Sequence, residues 1–205
     1  MSLFPIFVKL QGRLVVVVGG GNIAEGKLTG LLTAGARVRV ISPAITPAIA
    51  EWVRNRQVEW LPKVFEKDDL LGAYLVVTAT SAPGVNVAVF REAEARGILC
   101  NAVDDMEHCH FYYGSVVQRG DLQIAISTNG KSPALAQRLR QELEAQFGPE
   151  YEVWLEWLGA ARELLRASTS GAESNKTLLH HLASRPAFEQ FLRETRTRAP
   201  RKGVA

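Results

Sequence analysis

The sequence predicts an α/β protein. Three observations carry this: short β-rich runs alternate with helical stretches through the first half, a glycine-rich turn joins one such run to a helix, and after Asp105 the rhythm changes to a hairpin followed by helices. Leu14–Val18, Arg37–Ile41, Tyr74–Thr78 and Ile98–Val103 are β-branched or apolar runs of strand length, with Glu59–Leu61 a weaker candidate. Between them Ala24–Ala34, Pro47–Asn55 and Gly84–Arg96 show helical spacing of apolar residues. Strands that alternate with helices are expected to be parallel, with right-handed crossovers.

Further along, Ser115–Gln118 and Leu122–Ser127 read as antiparallel strands around Arg119-Gly120-Asp121. Ser132-Pro133 opens a helix, since serine is a favoured N-cap and proline suits the first helical position. Leu135, Leu139, Leu143 and Phe147 recur every four residues, an apolar stripe that needs a partner. Gly148-Pro149 stops that helix. Tyr151–Arg166 is a second helix, Ala167–Asn175 a Ser/Gly-rich linker, and Lys176–Arg193 a third helical piece. The basic tail carries Arg196, Arg198, Arg201 and Lys202.

Composition narrows the function classes. The chain has 205 residues, 47% apolar and 22% charged, enough for a core without disulfides and unlike a disordered chain. Lys+Arg 24 against Asp+Glu 21 leaves +3, too little to argue for nucleic acid. That excess matches the window Phe111–Arg140, where Arg119, Lys131, Arg138 and Arg140 face only Asp121. No apolar run approaches the roughly 20 residues a membrane span needs. No basic, then apolar, leader opens the chain, so a cytoplasmic protein with reduced Cys100 and Cys109 is expected.

The most specific local signal is Val15–Val18 running into Gly19-Gly20-Gly21-Asn22-Ile23-Ala24. In such a turn Gly19 permits the tight bend, Gly21 lets backbone approach a pyrophosphate, and Ala24 allows close helix–sheet packing. The helix N-terminus then offers N–H groups to the phosphates. The ribose-binding acid that usually follows about 20 residues on is missing. The second strand instead ends Ile41-Ser42-Pro43-Ala44, so backbone groups and the Ser42 hydroxyl would have to contact the ribose. Arg37 and Arg39 leave NAD against NADP open. Thr80 and Ser81, after the next strand, are expected to line the cofactor cleft.

Asn101 and Asp104 fall at the carboxyl end of the last parallel strand, the same edge as the glycine turn. A carboxylate there suits a base for the proton that accompanies hydride removal. His108-Cys109-His110 lacks metal-ligand spacing, because adjacent side chains diverge, and no metal site is expected.

Four segments together resemble the precorrin-2 dehydrogenase/sirohydrochlorin ferrochelatase family, the N-terminal part of siroheme synthase. They are Phe4-Pro5-Ile6-Phe7, Val18–Ala24 with Lys27, Cys100-Asn101-Ala102-Val103-Asp104, and Ile126-Ser127-Thr128-Asn129-Gly130-Lys131-Ser132-Pro133. The resemblance covers about residues 3–145. It implies a Rossmann-type domain over residues 1–113, a dimerisation segment over 114–147 and a helical domain over 148–205, assembled as a homodimer. It implies NAD as cofactor, precorrin-2 as tetrapyrrole substrate and sirohydrochlorin as product, with Fe²⁺ a co-substrate in members that also insert iron. By the same resemblance Asp104 is the catalytic carboxylate; Asn22, Ile23, Pro43 and Ala44 contact the cofactor. Precorrin-2 carries eight carboxylates, so a basic pocket is expected, with Asn101 and the loop Ser127, Thr128, Asn129, Gly130, Lys131, Ser132 as substrate contacts. Gly114 departs from a proline frequent in relatives, and Thr128 from a serine. The competing expectations are a bifunctional chelatase and a non-catalytic NAD-sensing domain.

Overall fold

In the computed structural model, which describes residues 3–167 and 171–198, the first half forms one parallel sheet. Its strands are β1 (Leu14–Val18), β2 (Arg37–Ile41), β3 (Val58–Leu61), β4 (Leu75–Thr78) and β5 (Leu99–Ala102), in the order β3-β2-β1-β4-β5. Helices α1 (Asn22–Thr33), α2 (Pro47–Arg54) and α3 (Pro83–Arg96) make the connections. Where the order reverses, between β1 and β4, the connections leave a crevice at the strands' carboxyl ends.

Alternation along the strands divides the core. Val15 and Val17 face one way, onto Leu28 and Leu31 of α1 and Ile49 of α2. Val16 and Val18 face the other, onto Leu70, Val89 and Ala93. Because β1 and β4 are covered on both faces, they read as unbroken apolar runs. A 3-10 turn, Lys67–Leu70, is a feature the apolar pattern did not predict. It is built on a reciprocal cap between Glu66 and Asp69, with Lys63 3.0 Å from the buried Asp69.

The chain divides into two compact units, one ending at Tyr112 and one starting at Tyr113. The second holds the hairpin β6 (Ser115–Arg119) and β7 (Leu122–Ile126), then α4 (Pro133–Gln146), α5 (Glu150–Ala167), α6 (Ala172–Leu182) and α7 (Arg185–Arg198). Ser132 caps α4 by accepting from Leu135 N at 3.2 Å. The single helical piece expected over Lys176–Arg193 is two helices. Proline at 186 belongs in a first turn rather than a helix interior, and Ser184 accepts from Ala187 N at 3.4 Å to start α7. Residues 168–170 of the expected linker, and Arg201 and Lys202 of the basic tail, lie outside the described residues.

Three of the four bases in the +3 window have structural partners. Arg119 of β6 donates to Phe147 O at 2.8 Å and Glu144 O at 3.1 Å, meeting carbonyls that the end of α4 leaves unpaired. Arg138 and Arg140 pair with Glu142 and Glu144 one turn on. The expected source of positive charge for a polyanion therefore shrinks to Lys131, because the arginines are used to hold α4 and the hairpin.

Candidate active site

The glycine turn is fixed by what lies around it. Gly19 has φ +118, and a Cβ there would sit 2.3 Å from the Ala79 carbonyl oxygen. Gly20, which the fingerprint treats as a free position, is equally constrained: its Cβ would lie 2.2 Å from Ala44 O, while its own carbonyl accepts from Thr46 N at 2.9 Å. Gly21 differs. It is the N-cap of α1, contributes no capping side chain, and a Cβ there meets nothing within 4 Å. Open space before uncapped N–H groups is what a pyrophosphate requires, so the turn fits a dinucleotide. Asn22 and Ile23 are exposed at this helix start, and buried Ala24 allows α1 to close on β1. Thr46 donates to Glu25 Oε2 at 2.8 Å and caps α2 by accepting from Ile49 N, which braces the turn from behind.

The Ser42 hydroxyl, expected at the ribose, is used internally. It is buried and donates to Ala44 O at 2.7 Å, while the Ser42 carbonyl accepts from the Trp60 indole at 2.9 Å. Pro43 and Ala44 are the exposed residues of that bend. Arg39 is bridged to Glu59 of β3 at 2.9 Å, and Arg37 opens β2 opposite Leu14, at the edge away from the crevice.

A cleft of about 360 Å³ occupies the switch point. Ile23 lines it from α1; Ala79, Thr80 and Ser81 from the exit of β4; Pro83 and Asn86 from α3. Val103, Asp104 and Asp105 close it after β5. The Thr80 hydroxyl accepts from Ala82 N at 3.2 Å, shaping the entry to α3. Asn86, unnoticed in the sequence because it sits inside a helix, is buried and accepts from the Thr78 hydroxyl, tying α3 to β4 beneath the cleft.

Asp104 is held in the left-handed region, φ +62, a conformation that costs a non-glycine residue energy. Val103 N donates to Thr78 O at 3.0 Å and Asp105 N to Ala102 O at 3.2 Å, so the turn is pinned on both sides of it. Lys27, on α1, faces this carboxylate. Burial lowers the Lys27 pKa, and the negative charge of Asp104 pulls it back up. Helical periodicity gives no sign that Lys27 faces a residue 77 positions later.

Asn101, expected as a substrate contact, is buried. Its amide donates to Phe111 O at 2.8 Å and approaches Cys109 Sγ at 3.4 Å, fastening the returning segment to β5. The neighbouring side chains diverge: His108 Nδ1 meets Asp105 Oδ2 at 2.7 Å, Cys109 Sγ contacts Ala102 and Asp105 carbonyls, and His110 Nδ1 accepts from Cys100 N at 3.0 Å. Burial pushes the Cys100 thiol up to about 12 and raises Cys109 as well, so neither is a ready nucleophile.

In the second unit, the Ser127–Ser132 loop is self-bonded. Thr128 exchanges hydrogen bonds with Ser132, Ser127 Oγ accepts from Asn129 N at 3.2 Å, and Asn129 and Gly130 take positive φ. Lys131 is exposed at its tip.

Comparison with known proteins places this geometry. Residues 6–115 match a family described as "Putative NAD(P)-binding", and residues 119–146 match the sirohaem biosynthesis protein central family. The chain is 37% identical to siroheme synthase 1 of Serratia proteamaculans over 171 residues, 82% of this chain and 36% of that protein. It is 43% identical to siroheme synthase of Photorhabdus laumondii over 145 residues, 71% of this chain and 31% of that protein. It thus spans about a third of the length of these relatives. The solved structure of SirC, a precorrin-2 dehydrogenase, superimposes with a TM-score of 0.78 at 27% identity, covering 95% of this chain and 100% of SirC. With its glycine turn, its switch-point cleft and a match over more than half its length, the chain belongs to the family described as putative NAD(P)-binding, and it is similar to siroheme synthases and to SirC.

Proposed function

We propose that this protein is the NAD-dependent dehydrogenase that converts precorrin-2 to sirohydrochlorin. The observation that carries the reading is the position of Asp104: an ionisable carboxylate, on a strained turn, in the wall of the cleft that the glycine turn opens. The similarity to SirC over nearly the whole chain supports it. Dehydrogenation removes a hydride and a proton from the substrate. The bound dinucleotide supplies the hydride acceptor. Asp104 accepts the proton, Lys27 sets a positive charge opposite it, and Gly19, Gly21, Asn22, Ile23, Ala24, Thr80 and Ser81 shape the cofactor side.

NAD is the form we propose. A 2′-phosphate needs a cation at the end of β2, and Arg39 is committed to Glu59 while Arg37 stands at the far end of its strand. The ribose is then met by Pro43 and Ala44. Lys131 and the backbone of the 127–132 loop bind substrate carboxylates in this reading. Residues 114–147 form the seam of a homodimer and 148–205 its helical domain.

Mixing the protein with precorrin-2 and NAD⁺ tests the proposal: the sirohydrochlorin spectrum and NADH absorbance rise together. No NADH formation would remove the reaction, and equal rates with NADP⁺ would remove the cofactor preference.

A further inference from the structure

We infer that His108 is a positioning residue for substrate selection, holding Asp105 so that the cleft accepts a polyanion. The inference rests on the function proposed above. Two consecutive carboxylates, Asp104 and Asp105, wall a cleft assigned to an octacarboxylate. One of them serves as the base. The other repels the substrate, and more strongly than in water because the cleft walls are protein.

The structure gives this second carboxylate a partner. Asp105 Oδ2 lies 2.7 Å from His108 Nδ1 across a single 3-10 turn, Met106–His108, with the two side chains 28% and 24% exposed. Phe90 of α3 meets the imidazole edge-on, with ring centroids 5.1 Å apart at 78°, and so fixes its plane. The surrounding groups do not compete for Asp105. His110 is turned to Cys100 N, the Cys109 thiol is kept protonated by burial, and Lys27 faces Asp104. Among the described residues, the His108 imidazole is the basic side chain paired with Asp105. As imidazolium it cancels the Asp105 charge, while Asp104 faces Lys27.

The effect belongs in substrate affinity rather than in the chemical step, which separates it from a mere cap on the turn. His108→Gln keeps a hydrogen bond to Asp105 and loses the charge. At about pH 6, where imidazole side chains carry charge, this variant should raise KM for precorrin-2 about three- to fivefold, the scale of one partly exposed charge. The same rise should appear in the Kd for uroporphyrin, an octacarboxylate probe titrated by fluorescence without turnover. Adding Asp105→Asn to His108→Gln should return both values to within about twofold of the parent, because the unpaired charge is gone. A double variant no better than His108→Gln alone overturns the inference, since a structural cap gives losses that persist or add. If the parent fails to oxidise precorrin-2 while uroporphyrin affinity follows this pattern, the proposed reaction fails and the charge pair stands. If oxidation proceeds and neither KM nor Kd responds to His108→Gln, the inference fails alone. A parent that neither oxidises precorrin-2 nor binds uroporphyrin overturns both.

Discussion

The two units solve the problem of burial differently. In the first, central strands covered on both faces place Val15, Val16, Val17, Val76 and Val77 at zero exposure, and helices seal each side. In the second, Val117, Ala136 and Phe188 alone among the described residues are buried apolar side chains, while Val153, Trp157 and Leu164 stand exposed. Its cohesion comes from rings instead: Phe188 lies 4.4 Å from Tyr151 and 4.6 Å from Trp154, whose buried indole N–H has no partner among the described residues. A parallel sheet needs crossover helices on both faces and so encloses its own core. A two-stranded hairpin with a few helices has too little apolar area to do the same. The unit with the enclosed core therefore carries the turn whose geometry must hold within a fraction of an ångström.

Substitutions in each unit test this contrast. Asp104→Ala should abolish precorrin-2 turnover, a loss of about 10³-fold or more for a base on the reacting atoms, while NAD⁺ binding measured by calorimetry persists. Retained turnover would remove the base from the mechanism. Phe188→Ala should cost about 3–5 kcal/mol, as for a large buried ring, and its effect should stay in the second unit. Hydrogen exchange should then speed in residues 115–195 and not in β1 or β4.

Gly20→Ala and Gly21→Ala make an internal comparison. The first forces a methyl onto Ala44 O and should destabilise the first unit by about 1–3 kcal/mol in denaturant unfolding, the usual cost of overpacking an interior. The second meets open space, so it should leave stability close to the parent and weaken NAD⁺ binding. Lys27→Met is the smallest change. Burial lowers the folded pKa of Lys27 below 10.5, so between those values the unfolded chain holds the proton more tightly and this residue's contribution to stability rises with pH. The methionine variant should lose that rise in melting temperature towards alkaline pH, and lower turnover by removing the positive charge that faces Asp104.

Much of the first unit was legible because its signals are local. Runs of valine mark strands buried on both faces, and Gly19, Gly21 and Ala24 satisfy steric demands within one turn. The parallel strands were anticipated to within one or two residues at their ends. Asn86, Asp105, His108 and Gly20 were not legible as parts of the site, because each acts on a residue brought near by the sheet or by a turn that periodicity does not describe. Ser42 and Asn101 show the converse. Their polar side chains suggested ligand contacts, and folding supplied them with Ala44, Phe111 and Cys109 instead.

By itself the amino-acid order determined that this protein has a parallel sheet, a phosphate-ready turn after β1 and a carboxylate at the same edge, since each follows from side-chain period or backbone freedom over a few residues. The tertiary structure alone decided which polar groups stay open to a ligand. Hydrogen-bond donors and acceptors are assigned by whatever the fold places within 3 Å, and that distance is not written in sequence spacing.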